Sequence, residues 1–187
     1  MSKNFSINIP AHNSIYINNY EENNYHNRKL LLKFSEPDEI NAKTGILLLI
    51  PGYGAHISSN VYKKMRETFS EQYNLIVVQC NYFGSEFMQT VDYKDISNYS
   101  KADFFPEDNN KNTLGITVNL NEDEMNLNDM GPMQAIDNIT AVLAIIIRKL
   151  KQGTKFNTKK LIIYGQSHGA YLAYLCNRFC PNVFQLI

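Results

Sequence analysis

Three stretches of the chain are apolar without interruption: residues 45–50 (GILLLI), 75–78 (LIVV) and 161–164 (LIIY). Unbroken rather than alternating apolarity predicts strands buried on both faces, as in a parallel sheet. Shorter β-like runs at residues 15–18 and 30–34 flank a polar stretch and predict a leading antiparallel pair. Ser58 or Ser59 can cap a helix running to about residue 72, with Val61, Met65 and Phe69 on its inner face. Pro132 suits the first turn of a longer helix. There Ile136, Ile139, Leu143, Ile146, Ile147 and Leu150 keep a 3.6-residue period up to Gly153. A small-residue helix at 170–179 follows the third apolar run, and residues 183–187 begin a further strand.

Strands and helices in this alternation predict an α/β fold, a mostly parallel sheet with helices on both faces. Residues 81–128 keep no period and are rich in Asn, Asp and Tyr. They read as an insertion or lid-like segment within a single domain spanning 1–187. Phe83, Phe87, Phe104 and Phe105 would either line such a lid or simply pack on the fold. Its acids Asp103, Glu107 and Asp108 read as solvated loop charge.

The 187 residues suffice for one core, and burial of roughly 70% of the unfolded surface needs no metal or disulfide. With 18 basic and 18 acidic side chains the net charge is zero, so there is no cationic surplus to bind nucleic acid. The longest apolar stretch, 139–147, is far short of a bilayer span, and no signal peptide is visible behind Met1. These features point to a cytoplasmic protein with neither a nucleic-acid nor a membrane partner; they say nothing of oligomeric state. The odd set of cysteines, Cys80, Cys176 and Cys180, reads as plain thiols. The i, i+4 spacing of the last two is a weak metal alternative. No cofactor is implied.

The chemistry-bearing feature is Gly165-Gln166-Ser167-His168-Gly169, directly after the third apolar run and directly before a helix. So tight a strand-to-helix turn forces its central residue into strained geometry and projects that side chain beyond the sheet end. Chance supplies the bare pattern in about one chain in fifteen of this length, so the flanking strand and helix carry the inference. A second loop, Pro51-Gly52-Tyr53-Gly54, follows the first apolar run. A glycine-bearing loop there can aim backbone N–H groups at a developing oxyanion, and the N–H after the serine can supply the other donor.

These two segments, and the order in which strands and helices separate them, resemble the α/β-hydrolase superfamily of serine-nucleophile type. The resemblance implies Ser167 as nucleophile, with the backbone N–H groups of Tyr53 and His168 as oxyanion donors. Gly52, Gly54 and His56 would then lie at the substrate. The substrate would be a small-molecule ester or amide. Residues 128–137, together with the elbow, also resemble a bacterial family of uncharacterised hydrolase-like proteins, domain of unknown function 2920.

Two departures stand out. The superfamily's usual His-Gly at the oxyanion loop is Pro51-Gly52 here, which changes a supporting side chain but not the backbone donors. After Ser167 only 20 residues follow, with no Asp, no Glu and no His except His168. Neighbouring side chains at a helix start diverge, so His168 is poorly placed to act as general base. His12 and His26 sit in polar surroundings with no evident role, and His56 suits a loop position. A serine without its base is a poor nucleophile, so little or no hydrolysis is expected of these residues alone. The expectation is an N-terminal part of a longer hydrolase, incomplete at its C-terminal end. The alternative is a non-catalytic ligand-binding or accessory protein on the same scaffold.

Overall fold

The computed structural model describes residues 2–12, 28–85, 88 and 130–187. Five strands form one mixed sheet: β1 (Lys3–Pro10), β2 (Lys29–Glu36), β3 (Gly45–Ile50), β4 (Leu75–Cys80) and β5 (Leu161–Gly165). Their spatial order is β1-β2-β4-β3-β5. β2 runs antiparallel to both β1 and β4, whereas β3 lies parallel between β4 and β5, with Ile46 opposite Ile76 and Ile50 opposite Gly165.

Side chains alternate between the sheet's two faces, as pleating requires. Ile46, Leu48, Ile50, Ile76, Val78 and Cys80 join β2's Leu30, Leu32 and Phe34 in the larger core. That core is completed by α2 (Pro132–Lys151) and α3 (His168–Phe179). Leu47, Leu49, Leu75 and Val77 face the other way, onto α1 (Asn60–Tyr73). The chain therefore leaves β3 toward a helix on one face and leaves the adjacent β5 toward a helix on the other. Divergence of this kind opens a crevice beyond the carboxyl ends of the two strands, where α/β proteins bind ligands.

The leading antiparallel pair exists, but its first member is β1 at residues 3–10 instead of 15–18, which lie outside the described residues. β1 is an edge strand whose Phe5, Ile7 and Ile9 alternate with polar Asn4, Ser6 and Asn8, a period-2 pattern unlike the unbroken apolar runs of the inner strands. Ser59 caps α1, its side chain accepting from the Tyr62 N–H. Yet α1 is turned one residue from the expected face. Tyr62, Arg66 and Ser70 are buried, Met65 and Phe69 are half-buried, and Val61 is exposed. Arg66 draws that face inward by donating to the Ile57 carbonyl (2.9 Å) and to Gln79 Oε1.

The same rotation affects α2. Gln134, Asp137, Asn138 and Lys149 are buried, while Leu143, Ile147 and Leu150 of the expected inner stripe are exposed. Lys149 sits inside because it pairs with Glu36 at 2.5 Å. The expected strand at 183–187 is a single parallel bridge, Ile162 to Leu186, with the Gln185 N–H donating to the Leu161 carbonyl at 2.8 Å. Of the 81–128 segment, residues 81–85 and Met88 are described and form turns, with Phe83 buried. The remainder of it, including Phe87, Asp103, Phe104, Phe105, Glu107 and Asp108, lies outside the described residues, as does His26. Among the described residues no helix is long and apolar enough to cross a membrane.

Candidate active site

The turn joining β5 to α3 is tight, and glycine makes it possible. A Cβ on Gly165 would overlap the Gly169 carbonyl, and one on Gly169 would overlap the carbonyl of Ile50 across the sheet. Between them Ser167 adopts φ 55°, ψ −124°, a conformation that costs a non-glycine residue of order 1–3 kcal/mol. The Gly169 N–H donates to the Gln166 carbonyl and the Ala170 N–H to that of Ser167, both at 2.9 Å, and these bonds hold the strained residue in place. Ser167 is exposed, at the crest of the turn and at the amino end of α3, where the helix dipole favours negative charge.

The 51–54 loop abuts this crest. A Cβ placed on Gly52 would lie 3.4 Å from Ser167 Cβ and 3.1 Å from the Gln166 carbonyl oxygen, so the loop packs closely against the serine and a side chain at residue 52 would be tight against that carbonyl. Gly54 takes φ 66°, and the Ala55 N–H donates to the Gly52 carbonyl at 3.1 Å to close the turn. Two tyrosines fix the loop from below. Tyr62 Oη accepts from the Gly52 N–H at 3.3 Å, and Tyr82 Oη donates to the Pro51 carbonyl at 3.0 Å, with the Gly52 carbonyl at 3.3 Å. The Gly52 N–H is thus turned into the protein, so Gly52's part at the site is its closeness to Ser167. Burial pushes the Tyr82 phenol up, which favours its protonated, hydrogen-bond-donating form.

His168 follows the serine, and its ring turns toward α2. Its Nε2 lies 2.8 Å from Gln134 Oε1, and the rings of Tyr53, Tyr82 and Tyr171 surround it at centroid distances of 5.8, 6.4 and 5.7 Å. Committing Nε2 to Gln134 removes that nitrogen as a base for Ser167. His56 is exposed and lines a separate small cleft of about 180 Å³ with Pro51, Asn81, Tyr82 and Ser85. Ser167, Gly52, Tyr53 and His168 are therefore gathered at one place. Gly54 shapes the loop, and His56 stands to the side.

Several polar residues that matter here lie outside the apolar pattern and the two glycine-bearing loops. Gln134 and Asp137, one turn apart on α2, hold both backbone groups of Phe83. Gln134 Nε2 donates to its carbonyl at 2.9 Å, and Asp137 Oδ2 accepts from its N–H at 2.8 Å. Arg28 pairs with Asp137 at 2.5 Å and lies over the Phe83 ring, 4.9 Å from its centroid. Burial raises the Asp137 carboxyl above its usual range, while Arg28 and the Phe83 N–H pull it back down. The spacing Gly131-Pro-Met-Gln134, that of a capping box, was the available signal, and Gln134 Oε1 does accept from the Gly131 N–H at 3.0 Å.

The cysteines are free thiols. Cys80 and Cys176 are buried, and burial pushes Cys176 up to about 12; its thiol points at the Ala135 carbonyl, 3.5 Å away. Among the described residues no group of three His, Cys, Asp or Glu side chains is placed to hold a metal ion.

Residues 85–186 match the family described as "Protein of unknown function (DUF2920)". No curated protein matches the sequence. Solved structures of similar fold include esterases. Brefeldin A esterase, described as a bacterial homologue of human hormone-sensitive lipase, superposes with a TM-score of 0.51 at 11% identity, over 97% of this chain and 37% of its own. A bacterial heroin esterase gives 0.52 at 15% identity, over 95% and 40%. A cold-adapted esterase from an Arctic intertidal metagenomic library gives 0.55 at 11% identity, over 97% and 58%. At such identities the likeness is one of fold, that of the α/β-hydrolases. The chain spans about two fifths of the length of the first two.

Proposed function

The chain belongs to the DUF2920 family, and on the hydrolase-like scaffold just described we propose that it forms the nucleophile-bearing part of a serine esterase. Ser167 is the nucleophile, and the backbone N–H groups of Tyr53 and His168 are the oxyanion donors. The observation that carries this reading is the conformation of Ser167. A positive φ at a non-glycine residue, maintained by two indispensable glycines and presented at the crevice mouth, is strain with a use.

In this reading Ser167 Oγ attacks the carbonyl carbon of a small-molecule ester. Its proton passes to a base, and the carbonyl oxygen becomes an oxyanion between the two N–H groups. Collapse of the intermediate expels the alcohol, which takes up the proton, and water then hydrolyses the acyl-serine. Gly52 and Gly54 shape the loop facing the acyl carbonyl, and His56 in the adjoining cleft is a substrate contact. The base and its orienting acid come from polypeptide other than residues 169–187, which contain no Asp, Glu or His, and the His168 ring is committed to Gln134. Esters are favoured over amides because esterases are among the structural neighbours.

The test is hydrolysis of p-nitrophenyl esters by the full-length protein. Ser167→Ala is expected to lower kcat on the order of a thousandfold or more with the fold intact. An unchanged rate in the variant overturns the proposal. One observation favours a second reading, a ligand-binding protein without catalysis: the His168 ring is committed to Gln134. Ester-dependent thermal stabilisation that survives Ser167→Ala, with no turnover by either protein, is its expected signature.

A further inference from the structure

Gln134 makes three hydrogen bonds whose directions are not interchangeable. The Gly131 N–H can only donate and the Phe83 carbonyl can only accept, so the amide has one orientation: oxygen toward Gly131, nitrogen toward Phe83. Met130 and Met88 sulfurs lie beyond that nitrogen, at 3.4 and 3.6 Å, and accept weakly. The same oxygen faces His168 Nε2 at 2.8 Å, so the imidazole must donate there. His168 is thereby held as the Nε2–H tautomer. Gln134 is fully buried, so no rearranged solvent can substitute for these partners.

We propose that Gln134 is a positioning residue for the oxyanion site: by locking the His168 ring to the start of α2 it fixes the Ser167–His168 peptide, whose N–H is the donor on the elbow side. The proposal rests on the esterase reading for its consequence, though the lock itself does not. Three segments that meet at the crevice are joined through this one amide: the start of α2 at Gly131, the turn after β4 at Phe83, and the elbow at His168. Tyr82, next to Phe83, holds the Pro51 carbonyl on the other side of the serine. Both halves of the oxyanion site are therefore set from the same turn. An oxyanion donor is effective only if it is aimed before the charge develops, and a free His168 ring would let the first turn of α3 relax.

Two measurements on the full-length protein test this. The first is the His168 tautomer, read from its ring-nitrogen NMR shifts. A proton on Nε2 is expected in the wild type and in Gln134→Glu, which keeps the oxygen facing His168 while losing the donor to Phe83, and Gln134→Met is expected to lose the fixed tautomer. An Nδ1–H ring in the wild type, or a tautomer indifferent to Gln134→Met, overturns the lock. The second is the rate of Ser167 labelling by a fluorophosphonate. It should fall about tenfold or more in Gln134→Met and clearly less in Gln134→Glu, which keeps the oxygen facing His168 but gives up the donor to the Phe83 carbonyl. Equal loss in both variants, or none in either, overturns the positioning role. Complete absence of Ser167 labelling in the wild type would refute the esterase reading, whereas the tautomer result decides the lock separately.

Discussion

The two loops that flank Ser167 are built in opposite ways. The elbow is held by its own backbone. Gly165 and Gly169 let strand, helix and the end of β3 touch, and two short-range hydrogen bonds keep Ser167 in its strained conformation. The 51–54 loop is held by distant side chains, Tyr62 from α1 and Tyr82 from beyond β4, and by the Phe83 turn that Gln134, Asp137 and Arg28 support. A backbone-held turn has one solution, and any atom added to it collides. A side-chain-held loop can lose a strut and still close, less well aimed.

The largest effects should come from breaking the supports outright. Arg28→Met leaves the Asp137 carboxylate buried without its partner, a change that costs about 3–5 kcal/mol. Arg28 is the foremost influence lowering the Asp137 pKa, so its loss raises that pKa further above the unfolded value. A carboxyl raised on folding binds its proton more tightly in the native state, so stability falls as pH rises through that window. The deficit relative to wild type should therefore be smaller near pH 5 than near pH 8, as urea midpoints at the two values will show.

Gly165→Ala attacks the other loop, where the new methyl meets the Gly169 carbonyl of the backbone. A loss of about 3 kcal/mol is expected, at the upper end for overpacking, since no flexible side chain can yield. Tyr82→Phe should cost less, about 1–2 kcal/mol for a buried carbonyl left without its donor, and should change urea m-values little. The contrast between these two is the sharpest check on the division. A Tyr82→Phe loss as large as that of Gly165→Ala would erase it.

The smallest effect has the opposite sign. Ser167→Gly removes the penalty of a positive φ, and thermal unfolding should show a stabilisation of about 1 kcal/mol or less once glycine's own entropy is counted. No gain would mean that the elbow stores little strain.

The same division governs what could be read from the sequence. β3, β4 and β5 announce themselves as unbroken apolar runs, and the elbow is written within five consecutive residues. The inner faces of α1 and α2 depart from the apolar period because Arg66, Gln134, Asp137 and Lys149 are buried against partners outside their own helices. Periodicity assigns such residues to solvent, and only the fold reveals Glu36 beside Lys149 or Phe83 between Gln134 and Asp137. β1 differs again: its Phe5, Ile7 and Ile9 alternate with Asn4, Ser6 and Asn8, so its signal is a period of two over one short edge strand and not an unbroken apolar run.

The central claim is that Ser167 is a nucleophile made ready by its backbone. Its most direct test is fluorophosphonate treatment of the full-length protein, with the modified residue located by peptide mass spectrometry. The account predicts a single adduct on Ser167, absent in Ser167→Ala and after heat unfolding. A folded protein that forms no adduct there, or labels equally well elsewhere, would contradict it.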